Sequence, residues 1–202
     1  FFRNQPVGCT ATIIYQMYQE KGAIIDKKTA GILLAAIISD TLMFRSPTCT
    51  QMDRAAAEAL AKIAEVDIEE LAKKMFEAGS DFKKKTTEEL FYQDFKTFHT
   101  DEFDFGVAQL SAMSDVQLGM AKKKLQPYLE IALGEQKLDA VFVMLTDILD
   151  ENSEVIYAGA QAGSLLKECF GEPDESGSFY LKGVVSRKKQ MIPTLMAGLQ
   201  QA

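Results

Sequence analysis

Apolar positions recur at helical spacing through the first eighty residues. Thr10 to Glu20 carries Ile13, Ile14, Met17 and Tyr18 as a stripe that Gly22 ends, which predicts a helix. Asp26 is placed to cap a second helix, Lys27 to about Ser39. Its Ile32, Leu33, Leu34, Ile37 and Ile38 cover so much of the circumference that the whole helix is expected to be buried. Thr50 with Asp53, and Asp67 with Glu70, have the spacing of capping pairs and open helices near 51–65 and 68–78, the second closed by Gly79. Ahead of them, Pro6 to Thr12 (PVGCTAT) reads as a strand-to-helix turn that Thr10 can cap, and Phe1 to Arg3 as the end of a strand.

After a polar stretch the period changes. Ser80 to Thr86 (SDFKKKT) follows a helix stop and precedes a further capping pair, Thr86 with Glu89, so it reads as a linker between two domains. Beyond it, Phe103 to Leu110 has the pattern of a strand, and Ser114 starts a helical stretch that Pro127 interrupts. The continuous apolar run Ala140 to Leu145 is that of a strand covered on both faces. Glu154 to Ala158 and Ser178 to Val185 read as strands, Ala162 to Phe170 as a helix, and Pro193 as the first position of a last helix. Strands alternating with helices place the chain in the α/β class: a helical region, 1–79, then a linker, 80–86, then a mixed sheet flanked by helices, 87–202.

Composition narrows the chemistry. The chain has 202 residues, and 22 Lys and Arg against 29 Asp and Glu leave a net charge of −7. That balance argues against a general affinity for nucleic acid or for an anionic membrane, and no apolar run reaches spanning length. Three dispersed cysteines without a CxxC pair fit reduced thiols in the cytoplasm. A single histidine, His99, excludes a His-pair metal site and an HExxH motif.

Three places could carry chemistry. Asp40, in Ser39-Asp40-Thr41, follows an apolar run where a buried carboxylate would need pairing, hydrogen bonds or a hard cation, although it could equally cap the turn. Ser186-Arg187-Lys188-Lys189-Gln190 gathers three cations between a strand and a helix, either as a phosphate site or as a solubilising patch. Lys96 stands between Phe95 and Phe98, which would pin its stem along apolar surface and aim its ammonium, or it is an ordinary snorkelling surface lysine.

Taken together, PVGCTATI, AAIISDTLMFRSPTCTQMD and GVVSRKKQMIP resemble the manganese-dependent, family II inorganic pyrophosphatases of the DHH phosphoesterase superfamily, in the family's order and across essentially the whole chain. The resemblance implies the C-terminal part of a DHH domain, a linker and a DHHA2 substrate-binding domain, with an active site in the cleft between domains. It implies Asp40 as a metal ligand in the SDT motif, and Lys96, Arg187 and Lys188 as pyrophosphate-binding cations. It implies a pair of Mn²⁺ or Co²⁺ ions, with Mg²⁺ possible on the substrate, and in the intact protein a homodimer. The family's HxDxD and DHH motifs are absent, so the chain is expected to be a carboxy-terminal fragment of low activity by itself. A phosphoesterase acting on short polyphosphates, or a noncatalytic module binding phosphate ligands, remain alternatives.

Overall fold

Side chains at the predicted caps start the helices of the first unit. Asp26 Oδ1 accepts from the backbone N–H groups of Lys28 (2.9 Å) and Thr29 (3.0 Å) and opens α2, Lys27–Asp40. Thr50 and Asp53 exchange hydrogen bonds in a reciprocal capping box that opens α3, Gln51–Ala64, and Glu65 closes it in the left-handed conformation. Asp67 accepts from Glu70 N (2.8 Å) at the start of α4, Ile68–Gly79. The first helix, α1, is Thr10–Glu20, but its cap is Cys9 rather than Thr10: the thiol sulfur accepts from Ala11 N at 3.3 Å.

The computed structural model describes residues 2–200. They form two units, one reaching to Ala78 and the other from Gly79. In the first, α2 is not buried all round. Ala30, Leu34, Ile37 and Ile38 form one stripe that shares a core with Ala56, Ala57, Leu60, Ala61 and Ala64 of α3, whereas Ile32 is 70% exposed. A run dense in apolar residues had hidden an ordinary one-sided helix. Phe2 and Arg3 are not in a strand; Arg3 instead pairs with Glu20 (2.7 Å) and donates to Gln16 Oε1 (2.9 Å), and Phe1 lies outside the described residues.

The second unit begins with the polar segment, which is packed down rather than free. Ser80 and Phe82 are buried, and Lys124 Nζ donates to the carbonyls of Phe82 (2.9 Å) and Lys85 (2.9 Å). A short helix, α5 (Thr87–Phe91), leads to β1 (Phe95–Phe98), then β2 (Phe105–Ala112). Then follow α6 (Asp115–Leu125), α7 (Leu129–Gln136), β3 (Ala140–Asp147) and β4 (Asn152–Ala158). The unit ends with α8 (Ala162–Phe170), β5 (Phe179–Lys182) and α9 (Ile192–Leu199). Pro127 does divide the helical stretch, lying in a 3₁₀ turn between α6 and α7. The predicted strand 178–185 stops early because Gly183 turns at φ +73° and donates to Asn152 Oδ1 at 3.1 Å.

The five strands form one mixed sheet in the order β1-β2-β3-β4-β5. Only β2 and β3 run parallel; the other neighbours are antiparallel. Alternation divides the core. Ala108, Leu110, Val141, Val143 and Leu145 face α6 and α7, and Phe105, Val107, Phe142 and Met144 face α8 and α9. The strand β1 carried no clear signal of its own. It depends on Gly106 of β2, over which the Phe95 ring lies so closely that an added Cβ would come within 2.3 Å of it. Among the described residues, no helix is long and apolar enough to cross a membrane.

Phe142 lies at the centre of one of these layers and is fully buried. Phe142→Ala is expected to cost about 3–5 kcal/mol, read in urea as a lower unfolding midpoint with a similar slope.

Candidate functional site

Asp40 is the last residue of α2 and is exposed, so the expected penalty for burying it does not arise. What the sequence did not show is the backbone that follows. Leu42, Met43 and Phe44 have φ of 48°, 52° and 68°, three consecutive non-glycine residues in the left-handed region. Each costs about 1–2 kcal/mol there, so the surroundings must over-determine the turn. They do: Thr41 Oγ1 donates to Ile37 O (2.6 Å) and accepts from Phe44 N (3.2 Å), and Met43 N donates to Ile38 O (2.8 Å). From outside, Arg54 donates to Phe44 O at 2.8 Å and lies 5.1 Å from the centre of the Phe44 ring.

Behind the turn lies Asp53, with no exposed surface. Its carboxylate accepts from Gly8 N (2.9 Å), Cys9 N (3.3 Å), Thr12 Oγ1 (2.6 Å), Thr50 N (2.8 Å) and Thr50 Oγ1 (2.6 Å). Burial pushes its pKa up, but the bonds from Thr12, Thr50 and Gly8 outweigh it, and the net shift is downward. Gly8 is required by space: a Cβ there would stand 2.9 Å from Thr41 Cγ2 and 3.1 Å from Asp53 Oδ2. The capping spacing of Thr50 and Asp53 was legible, but not that the same carboxylate also gathers the start of α1. Cys9 reaches Asp40; burial, the hydrogen bond to Asp40 and the nearby carboxylates push its pKa up to about 12, so it stays a thiol.

The basic cluster lies in the second unit, and its members differ. Arg187 is only 8% exposed. Its Nη1 donates to Asp94 O (2.6 Å) and Val107 O (3.1 Å), and its Nη2 to Asp94 Oδ1 (2.8 Å). Three of the five guanidinium N–H groups are thereby used. Lys188 and Lys189 are exposed. Lys96 is also exposed, so the sequence-based picture of a stem laid on apolar surface does not hold. The strand is held instead, by Phe95 in one core layer and Phe98 in the other. Lys96 pairs in register with Val107, whose carbonyl Arg187 binds, so the two cations meet β2 at the same residue.

The backbone carrying Arg187 is folded by amides. Gln190 Oε1 accepts from Val185 N (3.0 Å) and Ser186 N (2.9 Å), while its Nε2 donates to Gly183 O (2.7 Å). Gln109, on β2, donates to Val185 O (3.0 Å) and Thr146 Oγ1 (3.0 Å) and accepts from Arg187 N (3.3 Å). Ser186 Oγ accepts from Lys189 N (3.2 Å) at the head of a single π-type turn, Arg187–Met191. The scaffold roles of Asp94, Gln109 and Gln190 had no sequence signal, although Gln190 closes the SRKKQ motif, since their partners are distant in the chain or local in a loop of irregular shape. His99 pairs with Asp104 at 3.0 Å and does not join the cluster.

The same unit has an acidic cavity of about 320 Å³ lined by Asp115, Asp147, Asp150 and Glu154 among others. There a hydrogen bond to Asp147, and then its charge, raise the pKa of Asp115. Its sign excludes it as an anion site. Among the described residues, no group of three Cys, His, Asp or Glu side chains could hold a metal ion.

The basic cluster lies inside a region, residues 73–197, that matches the DHHA2 domain. The chain belongs to the DHHA2 domain family. It is similar to the manganese-dependent inorganic pyrophosphatase of Bacillus subtilis, 42% identical over 195 residues, 96% of this chain and 63% of the relative. It is similar also to that of Methanothrix thermoacetophila, 39% identical over 202 residues, all of this chain and 65% of the relative. The crystal structure of the Methanococcus jannaschii putative family II inorganic pyrophosphatase superposes with a TM-score of 0.83 at 34% identity, covering 97% of this chain and 66% of that one. The chain thus spans less than two thirds of the length of these relatives.

Because the Asp53 pKa is lowered on folding, its contribution is present above the unfolded value near 4 and is lost as pH falls through the folded value. Asp53→Asn is expected to cost about 1–3 kcal/mol at pH 7, since an amide donor would face N–H and O–H groups that need an acceptor. In thermal melts at pH 7 and below pH 4, the gap between variant and parent should narrow at the acid end.

Proposed function

We propose that this chain belongs to an enzyme that hydrolyses inorganic pyrophosphate to two orthophosphates with Mn²⁺, or Co²⁺ in its place. Asp40 supplies one ligand to a dinuclear metal centre, and Lys96, Arg187 and Lys188 hold the substrate. The observation that carries this is the built character of the basic cluster: Arg187 is buried and fixed by three hydrogen bonds to Asp94 and to Val107, the register partner of Lys96. A solubilising patch needs no such construction. The named activity of relatives at 39–42% identity supports the same reading.

The residues fit the metal in one respect. An exposed carboxylate is a hard oxygen donor of the kind Mn²⁺ takes. One such ligand cannot form a centre, so the described residues by themselves are expected to turn pyrophosphate over slowly or not at all. When bound, two such ions would supply an activated water and neutralise charge on the phosphoryl oxygens. The chain's own part is positional. Arg187 presents its remaining N–H groups in a fixed plane, Lys188 and Lys96 add compact charge, and together they offset the negative charge of the leaving phosphate. Mg²⁺ carried by the substrate would leave that arrangement unchanged.

Calorimetric titration of the 202-residue chain with pyrophosphate should show binding that weakens with salt. Arg187→Ala and Lys188→Ala should each weaken it about tenfold or more, since hydrogen bonds to charged groups are worth about 1.5–3 kcal/mol. On the protein expressed from its whole gene, Asp40→Asn should remove Mn²⁺-dependent phosphate release. Unchanged affinity in both cation variants would remove the substrate assignment.

A further inference from the structure

Asp94 opens the segment Asp94-Phe95-Lys96-Thr97-Phe98 and was given no role in the sequence, yet it makes two of the three hydrogen bonds that hold Arg187. Its carbonyl accepts from Nη1 at 2.6 Å and its carboxylate from Nη2 at 2.8 Å. It sits at the end of a 3₁₀ turn, Tyr92–Asp94, just before β1. The side chain of Arg187 is 9% exposed and that of Asp94 48%. The guanidinium is therefore the buried partner, and the carboxylate reaches it from the wet side. A cation withdrawn from water against a sheet face requires an answering charge, and Asp94 is the carboxylate that meets it.

The position of Asp94 gives the pair a second consequence. It is two residues before Lys96, and Arg187 is followed directly by Lys188. The Asp94–Arg187 bridge therefore ties the strand that carries one cation to the turn that carries the other two. Without it, β1 is an edge strand bonded only to β2, and the 183–190 loop is held by Gln109, Gln190 and the β4 residues Asn152 and Ser153, none of which lies in β1. We propose that Asp94 is a positioning residue: it orients the Arg187 guanidinium and sets the spacing between Lys96 and the Arg187–Lys188 pair for a diphosphate anion. This rests on the substrate assignment made above.

The sign of the effect tests the idea. A carboxylate beside an anion site repels the anion, so removing its charge alone should tighten binding. Positioning predicts the reverse. Pyrophosphate titrations of the 202-residue chain, each variant first shown folded by circular dichroism, should find affinity lowered about tenfold in Asp94→Asn. The loss should be partly restored in Asp94→Glu, which keeps the charge and also serves if the amide variant does not fold. It should vanish when Arg187 is already Ala, because Asp94 acts through Arg187. In a Lys188→Ala background the loss should persist. Asp94→Asn binding as tightly as the parent or more tightly, or losing as much affinity without Arg187 as with it, would overturn the proposal. A parent chain that does not bind pyrophosphate at all would instead overturn the substrate assignment, and the role of Asp94 toward this anion with it.

Discussion

Arg187 carries a permanent charge into contact with an apolar sheet face, and the arrangement around it follows from that fact. Its neighbours in the same layer include Val107 and Met191, which offer nothing to a cation through their side chains. The charge is met by one carboxylate and two main-chain carbonyls, from β2 and from the 3₁₀ turn that precedes β1. Three acceptors in fixed positions leave the guanidinium little freedom to rotate. Rigid placement of a donor group removes an ordering cost that a free side chain would meet on binding an anion. An exposed lysine such as Lys188 lacks that advantage and offers charge without direction.

The sheet makes this possible because its central strands are covered on both faces. With β2 and β3 parallel and buried, their side chains alternate between two largely apolar layers. Gln109 in the middle of β2 and Thr146 near the end of β3 are polar exceptions, and they anchor the loop that delivers Arg187. Buried amides are favourable only when nearly all their groups are paired, and Gln109 and Gln190 both have partners for oxygen and nitrogen. The loop is irregular in outline but specified as closely as a helix would be.

The first unit solves a different problem. Its turn after Asp40 takes three residues through a conformation that L side chains avoid, and the compensation comes from Thr41, Arg54 and, behind them, the Asp53 carboxylate. Asp53 joins the starts of α1 and α3 through five donors. Strain of this kind persists only where the surroundings enforce it, and it tends to be found at functional positions. Asp40 at the entrance of the turn is exposed and is reached by the Cys9 thiol.

The sequence by itself determined the helix starts, because a cap and the groups it satisfies lie within three residues of one another. It determined also the buried strand β3, the break at Pro127 and the α/β class, since periodicity is a local property. The motif segments identified a family whose DHHA2 domain the chain carries. Only the tertiary structure decided which charges are buried. SRKKQ reads as five similar polar positions, yet one caps the turn, one is enclosed and paired, two are exposed and one is a scaffold amide. Asp94 and Arg187 are 93 residues apart, as Gln109 and Arg187 are 78. No pattern in the chain marks such pairs, because what joins them is the stacking of β1 beside β2 and the return of the last loop over their shared face.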